Sequence, residues 1–264
     1  MRTDYETLKL ERHGDHVLVV TLNRPNSANA LNTQMGLDLR DLWRDLYVDH
    51  GDVRCIVLTG AGEKAFCAGG DLKERNGMTD EQWQRQHAIF EQAVLTMLDV
   101  PPPIIAACNG AAYGGGCEFV LAADFAYAAK SARLALTEVT LGIMPGAGGT
   151  QFLPRAVGIR RAKEFLLTGL PCSAEEGKEW GIFNKVCEDS ELMDEALATA
   201  ERIAGNAPIS IKQAKKALNV STQIDVKNGY AFEIEAYNRM VPTEDRQEGI
   251  RAFNEKRKPV YKGE

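Results

Sequence analysis

A short apolar run, Ile104-Ile105-Ala106-Ala107-Cys108, ends in Asn109-Gly110 and turns through Gly114-Gly115-Gly116 into residues that suit a helix, 119–123. No other stretch limits the fold as much. A strand that passes through a glycine cluster into a helix leaves bare backbone N–H groups at the helix start. With no side chains on the glycines, a ligand can approach that backbone closely. Glu118 follows Gly115 by three residues, about one turn along the same face. Fixed donors beside a carboxylate suit a reaction that builds negative charge on an oxygen while a proton moves nearby.

Two further segments have the same character. Cys55-Ile56-Val57-Leu58 leads to Ala65-Phe66-Cys67-Ala68-Gly69-Gly70-Asp71, a second strand-to-loop passage with exposed backbone. Leu136-Thr137-Glu138 carries a second carboxylate ahead of Pro145-Gly146-Ala147-Gly148-Gly149-Thr150. Each residue also has an ordinary role open to it. Glu118 suits dipole compensation in a first helical turn, Gly70 a turn with positive φ, Asp71 a helix cap, and Cys67 and Cys117 core packing. Gly148 and Gly149 read as a turn and helix start after Pro145. No G-x-x-x-x-G-K-[ST], no G-x-G-x-x-G after a strand and no G-x-S-x-G is present, which disfavours phosphate-loop, dinucleotide-fold and serine-hydrolase designs.

The first half of the chain alternates strands with helices. Val17–Leu22 and Ile104–Cys108 read as strands, as do 55–59, 125–127 and 133–135. Asn32 caps a helix expected over 33–47, and Thr79-Asp80-Glu81-Gln82 opens another running to about 98. No sequence repeat is visible. Beyond residue 158 helical signals dominate, with Ser173-Ala174-Glu175-Glu176 as a further capping box and helices expected over 191–204, 208–220, 226–239 and 244–256. The last of these carry Tyr230, Phe232, Ile234, Tyr237, Ile250 and Phe253, which must pack on the main body or on another subunit.

A net charge of −6 argues against a nucleic-acid partner. The six cysteines lack a C-x-x-C pair, and several sit in apolar runs, as in a reducing compartment. The four histidines show no metal-ligand spacing. Neither a targeting segment nor a membrane span is visible, so the expectation is a cytoplasmic protein without membrane partners.

Together these segments resemble the crotonase (enoyl-CoA hydratase/isomerase) family. The matching pieces are Leu22-Asn23-Arg24-Pro25 with Asn29-Ala30-Leu31-Asn32, Ala65 through Lys73, Asn109 through Glu118, Glu138 with Leu141-Gly142, Pro145 through Thr150, and Asp245-Arg246-Gln247-Glu248-Gly249 with Ala252 through Arg257. They span nearly the whole chain. The resemblance implies an α/β fold: a crotonase-like spiral of ββα repeats over 1–195, then a helical trimerisation region over 196–264. It implies an acyl-CoA thioester as substrate, no metal and no cofactor (coenzyme A being part of the substrate), and a homotrimer or dimer of trimers. An oxyanion hole of two backbone N–H groups maps to Gly70 and Gly115, and a hydratase's two glutamates map to Glu118 and Glu138. Other activities of this fold generally lack one or both acids.

The implied CoA contacts are Asn26, Ser27, Ala28, Ala68, Gly69, Gly114, Tyr237 and Lys256. Some relatives carry lysine where this chain has Asn26. The tail 251–264 has a net charge of +3, suited either to CoA phosphates or to a solvated helix end. The expected reaction is hydration of a 2-enoyl-CoA or its reverse; one glutamate takes a proton from water and the other supplies one to C2, and of the two divisions open the favoured one has Glu118 positioning water as base and Glu138 as the proton donor. Alternatives are a specialised relative (a carnitinyl-CoA dehydratase, a branched or aromatic enoyl-CoA hydratase, or an isomerase) and a non-catalytic CoA- or RNA-binding scaffold. Acyl specificity is expected to lie in 76–98 and in the terminal helices.

Overall fold

The computed structural model describes residues 2–264. The strands β1 (Leu8–His13) and β2 (Val17–Leu22) form an antiparallel hairpin. Next comes α1 (Thr33–Val48), closed at its start by Asn32, whose Oδ1 accepts the Met35 N–H at 3.0 Å. Three strand pairs follow, each leading into helical turns. The first is β3 (Cys55–Gly60) with β4 (Ala65–Cys67), before α2 (Leu72–Arg75) and α3 (Asp80–Asp99). The second is β5 (Ile104–Cys108) with β6 (Ala111–Tyr113), before α4 (Gly115–Ala122). The third is β7 (Phe125–Ala129) with β8 (Arg133–Ala135), before a 3-10 turn (Glu138–Leu141), α5 (Gly149–Val157) and α6 (Ile159–Thr168). The chain continues through β9 (Cys172–Ser173), α7 (Ala174–Trp180), β10 (Lys185–Cys187) and α8 (Leu192–Ala204). It ends in α9 (Pro208–Ser221), α10 (Val226–Asn238) and α11 (Glu244–Glu255).

In each pair the first strand joins a six-stranded sheet, ordered β1-β2-β3-β5-β7-β10, and the second joins a four-stranded sheet, ordered β4-β6-β8-β9. All pairings are parallel except β1 with β2 and β8 with β9. This is the expected ββα spiral. The repeat is absent from the sequence because a parallel strand covered on both faces asks only for apolar residues; every residue of β3 and β5 is buried.

Trp43 of α1, Phe66 of β4 and Phe119 of α4 are fully enclosed between the layers. Helix α1 packs on α3, and α8 packs on the large sheet through Leu192, Ala196, Ala200 and Ala204. The boundary expected between 195 and 196 therefore falls inside α8, a helix of the main core. Beyond it, α9 buries none of its residues, and Leu218, Tyr230 and Phe253 stand exposed.

Two glycines at the entry to α4 are required by geometry. Gly114 turns the chain with φ 50°. At Gly116 a Cβ would collide with the carbonyl oxygen of Cys67, so only glycine lets α4 seat against β4.

Candidate active site

A cavity of about 590 Å³ opens where the two strand-to-loop passages meet. Ala68, Gly69, Gly70, Gly114, Gly115, Glu118 and Glu138 all line it. Residues far apart in sequence thus converge because β4 and β6 are parallel neighbours whose following loops leave the sheet at the same edge. Asn26 and Ser27 lie in an exposed 3-10 turn (Pro25–Ser27) outside this lining. Ala28 runs alongside, its carbonyl accepting the Ala68 N–H at 3.0 Å. Tyr237 faces a separate groove between α9 and α10, and Lys256 is an exposed C-cap of α11.

The first loop is held rigidly. Leu31 N–H donates to Gly69 O at 2.8 Å and Asp71 N–H donates to Leu31 O at 2.9 Å, a single parallel bridge. In such a bridge the central residue's own N–H points to the other side, which aims that of Gly70 away from Leu31. Asp71 accepts from Lys73 and Glu74 N–H at the start of α2 and takes both terminal nitrogens of Arg24 at 3.0 Å. Burial pushes the Asp71 carboxyl up, but Arg24 and the helix amides outweigh it and hold the group below its usual range. Asn29, fully buried, donates to Ala61 O and Ala65 O, while Asn109 bridges to Gly60 and Gly62. These amides lock the turns between β3 and β4 and after β5. Among the described residues neither Gly70 N–H nor Gly115 N–H, at the first position of α4, meets a protein acceptor.

The two acids are buried in different ways. Glu118 Oε1 accepts the N–H groups of Ala147 and Gly149, each at 2.8 Å, at the start of α5. Burial raises its pKa and those two donors oppose the rise. Glu138 begins its 3-10 turn with Oε2 buried and without a partner. Burial first, and the Glu118 charge in addition, push the Glu138 carboxyl up to about 7. Both carboxyls are thus raised, Glu118 against the pull of two backbone donors and Glu138 far enough to exchange a proton near neutrality.

Some lining residues escaped the sequence. The grip of Ala147 and Gly149 on Glu118 gives the Pro145–Thr150 glycines a role beyond a turn, although Gly149 does start a helix as expected. Arg75, Trp83, His87 and Phe90 of α2 and α3 form one wall; three of these fall in the 76–98 stretch that was expected to set acyl specificity. Asp71 caps α2, and Cys67 and Cys117 are packed thiols, as read. Among the described residues no group of three His, Cys, Asp or Glu is placed to hold a metal ion, and no helix is long and apolar enough to cross a membrane.

The profile of the family described as Enoyl-CoA hydratase/isomerase matches residues 12–264. The short-chain-enoyl-CoA hydratase of Clostridium acetobutylicum is 42% identical over 94% of this chain and 95% of its own length. The (E)-benzylidenesuccinyl-CoA hydratase of Thauera aromatica is 40% identical over 94% of this chain and 96% of its own. The crystal structure of an enoyl-CoA hydratase from Bacillus anthracis, 44% identical, superposes with a TM-score of 0.96 over 98% of this chain and all of that one (100%).

Proposed function

The chain belongs to the enoyl-CoA hydratase/isomerase family, and from that premise we propose that it adds water across the 2,3 double bond of a 2-enoyl thioester of coenzyme A. One observation carries the reading: two buried carboxyl groups share a cavity with two backbone N–H groups that have no protein acceptor.

In this reading the thioester carbonyl accepts from Gly70 and Gly115. Glu118 takes a proton from water as the water oxygen bonds to C3; its raised pKa makes the anion a stronger base than a free carboxylate. The electron pair of the double bond moves toward the thioester oxygen, where the two N–H groups stabilise the enolate; loss of one such donor lowers rates by about 10²–10³. Glu138 then delivers a proton to C2, so the elements of one water molecule have been added. The carboxyls have exchanged protonation states, and the pair resets through solvent. The reaction run backwards uses the same groups.

Asn26, Ser27 and Ala28, beside Ala68, serve the coenzyme end of the ligand, with Gly69 and Gly114 flanking the thioester. Tyr237 and Lys256 lie outside the cavity lining, so in this reading they reach the substrate along its extended coenzyme arm or from a second copy of the chain. The exposed apolar faces of α10 and α11 suit a homotrimer or a dimer of trimers. Coenzyme A enters as part of the substrate, and the chemistry calls on no further cofactor.

Mixing the protein with crotonyl-CoA tests the proposal. Hydration removes the absorbance of the conjugated thioester, and Glu118→Gln and Glu138→Gln each suppress that loss. Full activity in both variants overturns the two-acid mechanism. Absent hydration together with turnover of a 3-enoyl thioester overturns the hydratase reading.

A further inference from the structure

Arg75 has more charge than the protein around it uses. Its Nε donates to Gln86 Oε1 at 2.7 Å, and its guanidinium lies over the Trp83 ring at 4.2 Å and the Phe90 ring at 5.5 Å. Among the described residues no carboxylate comes within ion-pair distance of it, and neither terminal nitrogen makes a protein hydrogen bond. The one acid that acts on it, Glu74, is turned to other partners: its Oε2 accepts from Thr33 N–H at 2.9 Å and Gln86 Nε2 at 2.8 Å. Gln86 is thus fixed at both ends of its amide and fixes Arg75 in turn. Burial pulls the guanidinium pKa down, and only Glu74 acts against it.

A half-buried cation with one satisfied nitrogen is costly unless something pairs with it. This one lines the proposed acyl cavity, and a Cβ on Gly70 would stand 3.1 Å from its Nη1. Two free terminal nitrogens on a rigid planar group match the two oxygens of a carboxylate. Stacking on Trp83 and Phe90 holds that fork in one orientation, so little freedom is lost when a ligand docks.

We propose that Arg75 recognises a carboxylate on the acyl chain, so that the preferred substrates are mono-CoA thioesters of unsaturated dicarboxylic acids. The assignment rests on the hydratase reading and deepens it. Trp83 and Phe90 position the guanidinium, and Gln86 sets its direction through Nε.

Two thioesters of nearly equal shape test it: 4-carboxybut-2-enoyl-CoA, and 5-methylhex-2-enoyl-CoA, in which two methyl groups replace the carboxylate oxygens. Crotonyl-CoA serves as the reference substrate. The readout is the ratio of kcat/KM for the carboxylated over the neutral compound, which does not depend on the fraction of folded enzyme. A charge-assisted pair in a partly dry site gives a ratio of about 10–100 in the unaltered protein. Arg75→Gln brings that ratio to about one, and Arg75→Lys leaves it between the two.

A ratio near one in the unaltered protein, with crotonyl-CoA hydrated normally, overturns the inference and leaves the hydratase reading intact. An unchanged ratio in Arg75→Gln also overturns it, because a guanidinium serving the enolate oxygen or the CoA phosphates affects both acyl chains alike. If none of the three thioesters is hydrated, the hydratase reading fails and the inference with it.

Discussion

Replacing Glu138 by glutamine separates what its buried carboxyl does to the fold from what it does for the reaction. The folded protein holds this group at about 7, against an ordinary value of 4.5. Between those two values the unfolded chain has released a proton that the folded protein still binds. Stability of the unaltered protein therefore falls as pH rises from about 4.5 to about 7 and levels off above, where both states are ionised. At about 1.4 kcal/mol for each pH unit, the full shift corresponds to about 3 kcal/mol. The group lines an open cavity and is not fully enclosed, so screening brings the expected effect to about 1–2 kcal/mol. Glutamine has nearly the same shape and no charge, so Glu138→Gln escapes this loss. Unfolding by urea, followed at pH 5 and pH 8 at one protein concentration, measures it. The variant gains about 1–2 kcal/mol on the unaltered protein between the two conditions, or about 2–8 °C in Tm for a chain of this size. Hydration by the same variant falls by about 10²–10⁴. A stability difference that stays constant between pH 5 and pH 8, or that shifts toward the unaltered protein as pH rises, refutes the account of Glu138 as an unpartnered buried acid.

If Glu138 donates its proton as drawn, kcat declines as pH rises through about 7, and a pH–rate profile in Glu138→Gln lacks that limb. At Gly149 a Cβ would stand 2.9 Å from Pro145 and 3.1 Å from Glu118 Oε1; Gly149→Ala pushes one donor off Glu118 and lowers kcat by about tenfold, the worth of one hydrogen bond to a charged group, as steady-state kinetics will show. Arg24→Met leaves Asp71 without its ion pair and frees the loop that aims Gly70; urea unfolding registers a loss of about 1–3 kcal/mol. All six cysteines are buried, and burial pushes the Cys55, Cys67, Cys108 and Cys172 thiols up to about 12; a thiol reagent labels none of them in the native protein and all of them after denaturation.

Local order dominates what the sequence determined. Strand runs such as Ile104–Cys108 and caps such as Asn32 and Thr79 depend on neighbours a few residues away, so their physics is complete within a short window. The resemblance supplied both acids and both donor glycines by position, and the cavity contains all four. What tertiary structure alone decided is how those groups are treated. Glu118 is gripped by amides from Ala147 and Gly149, and Glu138 is left with a bare buried oxygen. Two glutamates identical in covalent structure thereby sit in different surroundings, and a carboxyl's proton affinity is set by the donors and the dielectric around it. Arg75 makes the same point. In sequence it is one more charge on a short polar helix; only packing against Trp83 and Phe90, with Glu74 turned away, leaves it unpaired at the wall of the cavity. Partners of this kind come from distant segments, and no spacing along the chain records whether a charge will find one.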